Sequence, residues 1–586
     1  MIANFTPNKV YTISERFLAE KLLELFFNRT LDSHRAKLHN PKWILIELHQ
    51  VLSDWAQGKI KAFDKTIRPV ILETLKFLEV ESLLQFDSIN IKFFKTLLGN
   101  ATEKNYQHLS YTTRVILEKN MNYQQKLLDK IEEEIAKLNL EKVFVEKLES
   151  LNIYVDYLAT ELINQGYAKG YLYSIISRIF SDKRNLDFVD AFKEFKSAIL
   201  REEEEFKIIF RINKLAGNNE KIDIKSSFEI DEKFIEEISN INDKSKQFFS
   251  NQNGYAYFLA FTEVGHDYLS VIEKAKKKLF TLIDLIHMGY PNYPFGFAKK
   301  CLVIGTRKPE LTNIQPVFYI PDGSYKNNEE LYETLLQKMS RMNANSKIQK
   351  ESIQKIVSAF RHLRLGRDAD ELEQKFLNYW IGLEYIFSNY DVHDTTIIRL
   401  KEYFIHSHSI AYIKRNLFEF HNDIKRFKLL TAIPDASENL NYLKNSQVYD
   451  FIIDNFSESF PLLAFRANKY KDLLNRPGEI KNEILKHRTN LEWHLTRCYR
   501  IRNEIVHDAA IHLNIESITS NLRYYLVYIL NSLLDYLDSL TTETYEDQIS
   551  INDYFLLQEI TYSSLSMSSF PLNDLMSVKS ATEIFS

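Results

Sequence analysis

The sequence predicts a mostly α-helical protein with a small central α+β domain and a helical bundle towards the C-terminus. Only 14 Gly and 12 Pro occur in 586 residues, too few for a turn-rich sandwich. Apolar residues recur at steps of three and four from about Tyr11 to Leu200, and again from about Asn327 to Leu540. Between these stretches they alternate singly, as in half-buried strands.

In the first stretch, Leu117, Met121, Leu128, Ile131, Ile135 and Leu138 form one stripe, with Glu132, Glu133, Glu134 and Lys137 on the outer positions. The acidic run Glu202 to Glu205 reads as a solvated helix face. Strand character begins at Phe206–Ile212 and Ile222–Lys225, and returns at Tyr255–Phe261, Lys300–Ile304 and Pro316–Ile320. A helix is expected from about Tyr268 to His287, and breaks at Gly217-Asn218-Asn219 and Pro321-Asp322-Gly323 punctuate the region. After Asn327 the pattern is helical, with Pro434 and Pro477 marking turns. The tail beyond Thr541, rich in Ser, Thr and acidic residues, is expected to be partly ordered at best. The resulting division is an N-terminal helical region (1–205), a small α+β domain (206–325), a helical domain (326–540) with an insertion at about 391–486, and a C-terminal tail (541–586).

Composition narrows the function. Lys and Arg total 75 against 79 Asp and Glu, a net charge of −4, which excludes indiscriminate coating of nucleic acid but leaves room for local basic grooves. The 40 Phe and 33 Tyr are read first as packing groups. With Cys301 and Cys498 as the two cysteines, a disulfide framework and a cysteine metal cluster are not expected. Met1 to Arg16 lacks a basic segment followed by an apolar run, and no eighteen apolar residues are consecutive, so a cytoplasmic protein with no membrane partner is expected.

The most informative stretch is Arg497-Cys498-Tyr499-Arg500-Ile501-Arg502-Asn503-Glu504-Ile505-Val506-His507-Asp508. It lies between two apolar stripes: Leu372, Phe376, Tyr379, Trp380, Leu383 and Phe387 before it, and Leu522, Tyr525, Leu526, Ile529, Leu530, Leu533 and Leu537 after it. Cleaving RNA without a metal needs a base for the 2′-hydroxyl proton and an acid for the leaving 5′-oxygen. Histidine, with an ordinary pKa near 6.5, suits both roles. A permanently charged, planar guanidinium can hold the scissile phosphate and offset the charge that grows on it. At about 100° per residue, Arg502 and His507 sit about 140° apart on a helix and Asn503 and His507 about 40° apart. Arg502 and His507 are therefore the candidate catalytic pair, and Asn503 the candidate for positioning His507 or the phosphate through its amide. Glu384, at the edge of the first stripe beside Trp380 and Phe387, is the candidate partner of Arg502. Arg497 and Arg500 are candidates for a basic rim that binds RNA, or else ordinary solvated arginines. The plainer alternative for Arg502, Asn503, His507 and Glu384 is an ion pair stapling two helices.

Arg502-Asn503-Glu504-Ile505-Val506-His507 resembles the Arg-x4-6-His motif of HEPN domains, and Phe376-Leu377-Asn378-Tyr379-Trp380-Ile381-Gly382-Leu383-Glu384-Tyr385-Ile386-Phe387 is similar to the first helix of the Apea-like HEPN subgroup, with its Trp-x2-Leu-Glu-x2-Phe pattern. The resemblance covers about residues 365–540; the long insertion between the motif helices departs from the family pattern. It implies a C-terminal HEPN-like helical bundle and a metal-independent endoribonuclease without a cofactor. It also implies a homodimer or higher homo-oligomer whose motif copies face each other, acting on RNA, tRNA among the candidates, as a toxin or abortive-infection factor released by a phage-derived trigger.

Two other readings stand beside it. Asp223-Ile224-Lys225 and Asp231-Glu232-Lys233 have the Asp-x-Lys spacing of some metal-dependent nucleases, without an upstream acidic partner. HEPN-like domains also serve as non-catalytic dimerisation or binding modules. His266-Asp267 and His393-Asp394 read as loop or helix-cap pairs, and Cys498 as a helical core residue. Residues 1–325 are expected to sense a trigger or to restrain the catalytic unit.

Overall fold

The computed structural model describes residues 10–27, 39–80, 82–86, 89–140, 145–184, 186–213, 232–240, 242–250, 255–289, 296–307, 313–317, 329–388, 396–508, 515–539, 548–567 and 571–577. In chain order the first helices are α1 (Ile13–Phe26), α2 (Pro41–Ala56), α3 (Phe63–Val80), α4 (Ile91–Gly99), α5 (Tyr106–Lys119), α6 (Tyr123–Leu140), α7 (Glu149–Asn164), α8 (Lys169–Ile179) and α9 (Phe188–Ile199). There follow β1 (Glu204–Asn213), α10 (Glu232–Ser239), α11 (Asp243–Ser250), β2 (Tyr255–Gly265), α12 (Ser270–Gly289), β3 (Gly296–Phe297), β4 (Lys300–Gly305) and β5 (Asn313–Pro316). The C-terminal half carries α13 (Glu329–Ala344), α14 (Lys350–Asp368), α15 (Leu372–Phe387), α16 (Thr396–Arg399), α17 (Ile405–Arg426), α18 (Ser446–Phe456), α19 (Pro461–Asn475), α20 (Pro477–Asp508), α21 (Glu516–Ser539), α22 (Ile551–Met567) and α23 (Leu572–Ser577).

The chain divides into two compact units, one of Met1–Glu161, Phe180–Phe188 and Asp322–Ser586, the other of Leu162–Ile179 and Val189–Pro321. The N-terminal helices therefore do not form a region of their own up to residue 205, as their sequence suggested. Their buried carboxylates find partners in the C-terminal half, and a buried charge without such a partner would be costly. Glu20 of α1 accepts a hydrogen bond from the Leu462 backbone N–H at the start of α19 (3.0 Å), and Glu24 pairs with Arg466, which also donates to Asp423 (3.0 Å).

In the second unit the sheet runs β2-β1-β4-β5, antiparallel throughout, with β3 paired to β1. Alternation along β1 sorts its side chains between two layers. Ile208, Phe210 and Ile212 pack with Leu259, Phe261 and Val303 under Val271, Ala275 and Leu279 of α12. Ile209 packs on the other side with Leu302, Phe258, Phe248 and Ile238. Asp267 starts α12 by accepting from the Leu269 and Ser270 N–H groups (2.8 and 2.9 Å), as a cap residue should, and it also binds the Ala168 N–H (2.9 Å). The acidic run Glu202–Glu205 leads into β1 rather than covering a helix; of the strand expected at 316–320, Pro316 closes β5 and 318–320 lie outside the described residues. The expected strand at 222–225, the breaks at 217–219 and 321–323, and the pair His393-Asp394 lie outside the described residues.

Elsewhere the differences are local. The stripe from Leu117 to Leu138 breaks into α5 and α6, leaving Met121 80% exposed. Buried Asn120 makes the break stable, accepting from the Gln85 N–H (2.8 Å) and donating to the carbonyls of Gln85 and Ile116 (2.9 and 2.7 Å). The described part of the tail forms α22 and α23, whose Tyr562, Leu565, Leu572 and Leu575 join Phe420, Tyr449 and Ile452 of the expected insertion in one core. Pro477, read as a turn, is the first residue of α20, where its missing N–H costs nothing.

The two stripes that flank the motif pack together as expected. Every member of both is buried, and α15 lies on α21 with α14 folded back against α15. Gly382 allows the approach, since a Cβ there would stand 3.0 Å from Leu526 Cδ2 and 3.1 Å from His362 Cβ.

Candidate functional site

The motif occupies the end of α20, a helix of 32 residues that runs unbroken through it. Its buried face carries Leu491, Leu495, Cys498 and Ile501. Burial pushes the Cys498 thiol up to about 12, so it is a core residue and not a nucleophile.

Arg502 and Glu384 come together across α20 and α15. The guanidinium Nη2 lies 3.9 Å from Glu384 Oε2, and both side chains are 27% exposed. Glu384 Oε2 also accepts from the Trp380 indole N–H at 3.0 Å, while the Trp380 and Tyr499 rings meet at 6.0 Å. One carboxylate oxygen is thus held by an ordinary indole hydrogen bond and reaches the guanidinium only at the limit of an ion pair. The Arg502 Nη1 donates to Asn503 Oδ1 at 3.1 Å. Arg502 therefore bends toward the face that Asn503 shares with His507. His507 is exposed, and among the described residues no group hydrogen-bonds its ring. Neither head group is sealed in the interior.

Arg497 requires a correction. It is 5% exposed, and its Nε donates to both oxygens of Glu47 (2.8 and 3.0 Å) while its Nη2 donates to Glu47 Oε2 (2.6 Å) and Glu73 Oε2 (2.7 Å). A guanidinium enclosed by two carboxylates cannot form a solvent-facing rim for RNA. Arg500 belongs to the same cluster: its Nη2 donates to Glu47, its Nε lies 3.6 Å from Glu504, and its side chain is 15% exposed. His39 completes the group, its Nε2 2.7 Å from Glu47 Oε2. The two guanidiniums beside it hold the Glu47 carboxyl well below the usual carboxylate range, against the opposing effect of burial.

Sequence reasoning missed Glu47 and Glu73, although a signal was present. Glu47 stands three residues after Ile44 and four before Val51, and Glu73 three after Val70, so both interrupt apolar stripes at helical spacing. An acid in such a position calls for a buried cation, the same logic that singled out Glu384. What no local pattern could supply is the partner, more than four hundred residues away.

Among the described residues no group of three or more His, Cys, Asp or Glu side chains could hold a metal ion, and no helix is long and apolar enough to cross a membrane. Asp223, Lys225 and Asp231 lie outside the described residues, as does the side chain of Glu232. Comparison with protein families, with curated proteins and with solved structures returns no match to this chain.

Proposed function

We propose that the protein is a metal-independent endoribonuclease of the HEPN type. The observation that carries the reading is the end of α20, where an accessible guanidinium and an accessible imidazole stand five residues apart, with Asn503 between them and Glu384 opposite. In this reaction His507 takes the 2′-hydroxyl proton or returns one to the departing 5′-oxygen, and Arg502 binds the phosphate. A single copy supplies one imidazole for two proton transfers, so a homodimer or higher homo-oligomer that sets two motif ends face to face is part of the proposal. A toxin-like or anti-phage role, an RNA target such as tRNA and a phage-derived trigger follow from the resemblance alone.

A second reading has its own support. Arg502 already has Glu384 and Asn503 as neighbours, which is what a helix staple in a binding or dimerisation module would show. The two separate in one assay: purified protein with tRNA and single-stranded RNA in excess EDTA, beside His507→Ala and Arg502→Ala. Cleavage by the parent chain and loss in both variants supports the nuclease. Cleavage abolished by EDTA points to a metal enzyme, and no cleavage in any arm favours the module.

A further inference from the structure

The clamp that Glu47 and Glu73 form on Arg497 and Arg500 grips α20 just before the motif, and nothing in the proposed chemistry uses it. Arg497 precedes Arg502 by five residues, about 7.5 Å along the axis at 1.5 Å per residue. From Arg500 to Arg502 the turn is about 200° at 100° per residue, so the two guanidiniums leave α20 on opposite sides. One side is held by α2 and α3 through Glu47 and Glu73; the other meets α15 at Glu384. An α-helix transmits rotation and sliding along its axis because its backbone hydrogen bonds resist twisting. Whatever fixes residues 497 and 500 therefore fixes the direction in which 502, 503 and 507 point.

Glu47 is the hub. It alone is shared by Arg497, Arg500 and His39, and α2, which carries it, is anchored at its own start: Asn40 caps it through the Trp43 N–H (2.9 Å) and donates to Glu161 (2.9 Å), which also pairs with Lys42 (2.8 Å). The contact on the other side of α20 is loose by comparison, 3.9 Å between partners that are both 27% exposed. A small rotation of α20 would open or close it.

We infer that Glu47 is a positioning residue for the Arg502 and His507 end of α20, and that the N-terminal helices control that site by holding the helix through it. The inference rests on the nuclease reading for its consequence in catalysis, but its mechanical part can be measured without any activity. Glu47→Gln keeps the shape and removes the charge; Arg500→Gln, at the more accessible edge, is the milder variant should the first fail to fold. Amide hydrogen exchange of the full chain should show residues 495–508 exchanging about tenfold faster in Glu47→Gln and about threefold faster in Arg500→Gln, with 405–426 of α17 unchanged. In RNA cleavage, kcat should fall about tenfold while KM stays within about twofold, since the groups are present but misdirected.

Unchanged exchange at 495–508, or faster exchange spread evenly over α17 and α20, would overturn the inference, because the clamp would then be an ordinary part of the core. Loss through KM with kcat kept would overturn it too. If the parent chain cleaves no RNA while Glu47→Gln still loosens 495–508 alone, the clamp stands and it is the nuclease reading that fails.

Discussion

Two arginines on one helix, five residues apart, meet opposite fates. Arg497 is 5% exposed and held by two carboxylates at 2.6 to 3.0 Å; the Arg502 side chain is 27% exposed and stands 3.9 Å from its one acid. The first has its charge matched and its Nε and Nη2 donating to two carboxylates, so it stiffens the fold and is not open to a ligand. The second keeps donors facing solvent. The lesson is that residue type marks where a charge is, whereas burial and the count of opposite charges decide whether it is available.

The sharpest break of this comparison is in catalysis. Arg502→Ala and His507→Ala should each lower RNA cleavage by about 10² to 10⁴-fold, with unfolding free energy by urea titration changed by less than about 1 kcal/mol. A loss of stability as large as that of the Arg497 variant would erase the contrast. Arg497→Met should do the reverse, costing about 3 to 5 kcal/mol in the same titration, because Glu47 and Glu73 would stay buried without their shared cation.

Buried histidines of α17 and α20 also predict a pH dependence. Burial, helped by the Arg497 charge, lowers the His494 pKa to about 3, and its Nδ1 lies 2.7 Å from the Tyr525 hydroxyl. Burial likewise lowers His406 to about 4 and His408 well below its ordinary value; His408 Nδ1 lies 2.9 Å from His487 Nε2, and its Nε2 faces Arg415 at 2.8 Å. These rings are neutral in the folded chain and gain a proton on unfolding below pH about 6.5, so their contribution is complete above that pH and is lost as pH falls towards 4 and 3. Urea titration should therefore show the unfolding free energy falling through this window, and His494→Gln should flatten the fall by up to about 1.4 kcal/mol per pH unit. A parallel decline in parent and variant would remove His494 from the account. The smallest effect is expected at Gly382: Gly382→Ala should cost about 1 to 2 kcal/mol in urea titration by pressing a methyl against Leu526 and His362, with cleavage retained if α15 yields without moving Glu384.

Much of this was legible in the order of residues. The helical class, the central strands β1, β2 and β4, helix α12, the two stripes that pack as α15 and α21, and the Glu384 to Arg502 pairing all follow from periodicity or from an acid placed at an apolar edge, because those signals act within a few turns of chain. The packing of the tail was not legible in the same way. Its Ser and Thr content suggested partial order at best, and where Tyr562 and Leu565 pack, in a core built by the inserted helices, is something composition cannot show.

Local spacing, in the end, determined which elements form and which side chains lie on one face of a helix. Only tertiary structure decided which charges stay accessible. Arg497, Arg500 and Arg502 look alike in sequence, and what separates them is the arrival of Glu47 and Glu73 from α2 and α3 on one side of α20 and of Glu384 from α15 on the other. A buried carboxylate satisfies whichever cation the fold brings to it, and that partner is chosen by packing across hundreds of residues, not by the chain nearby.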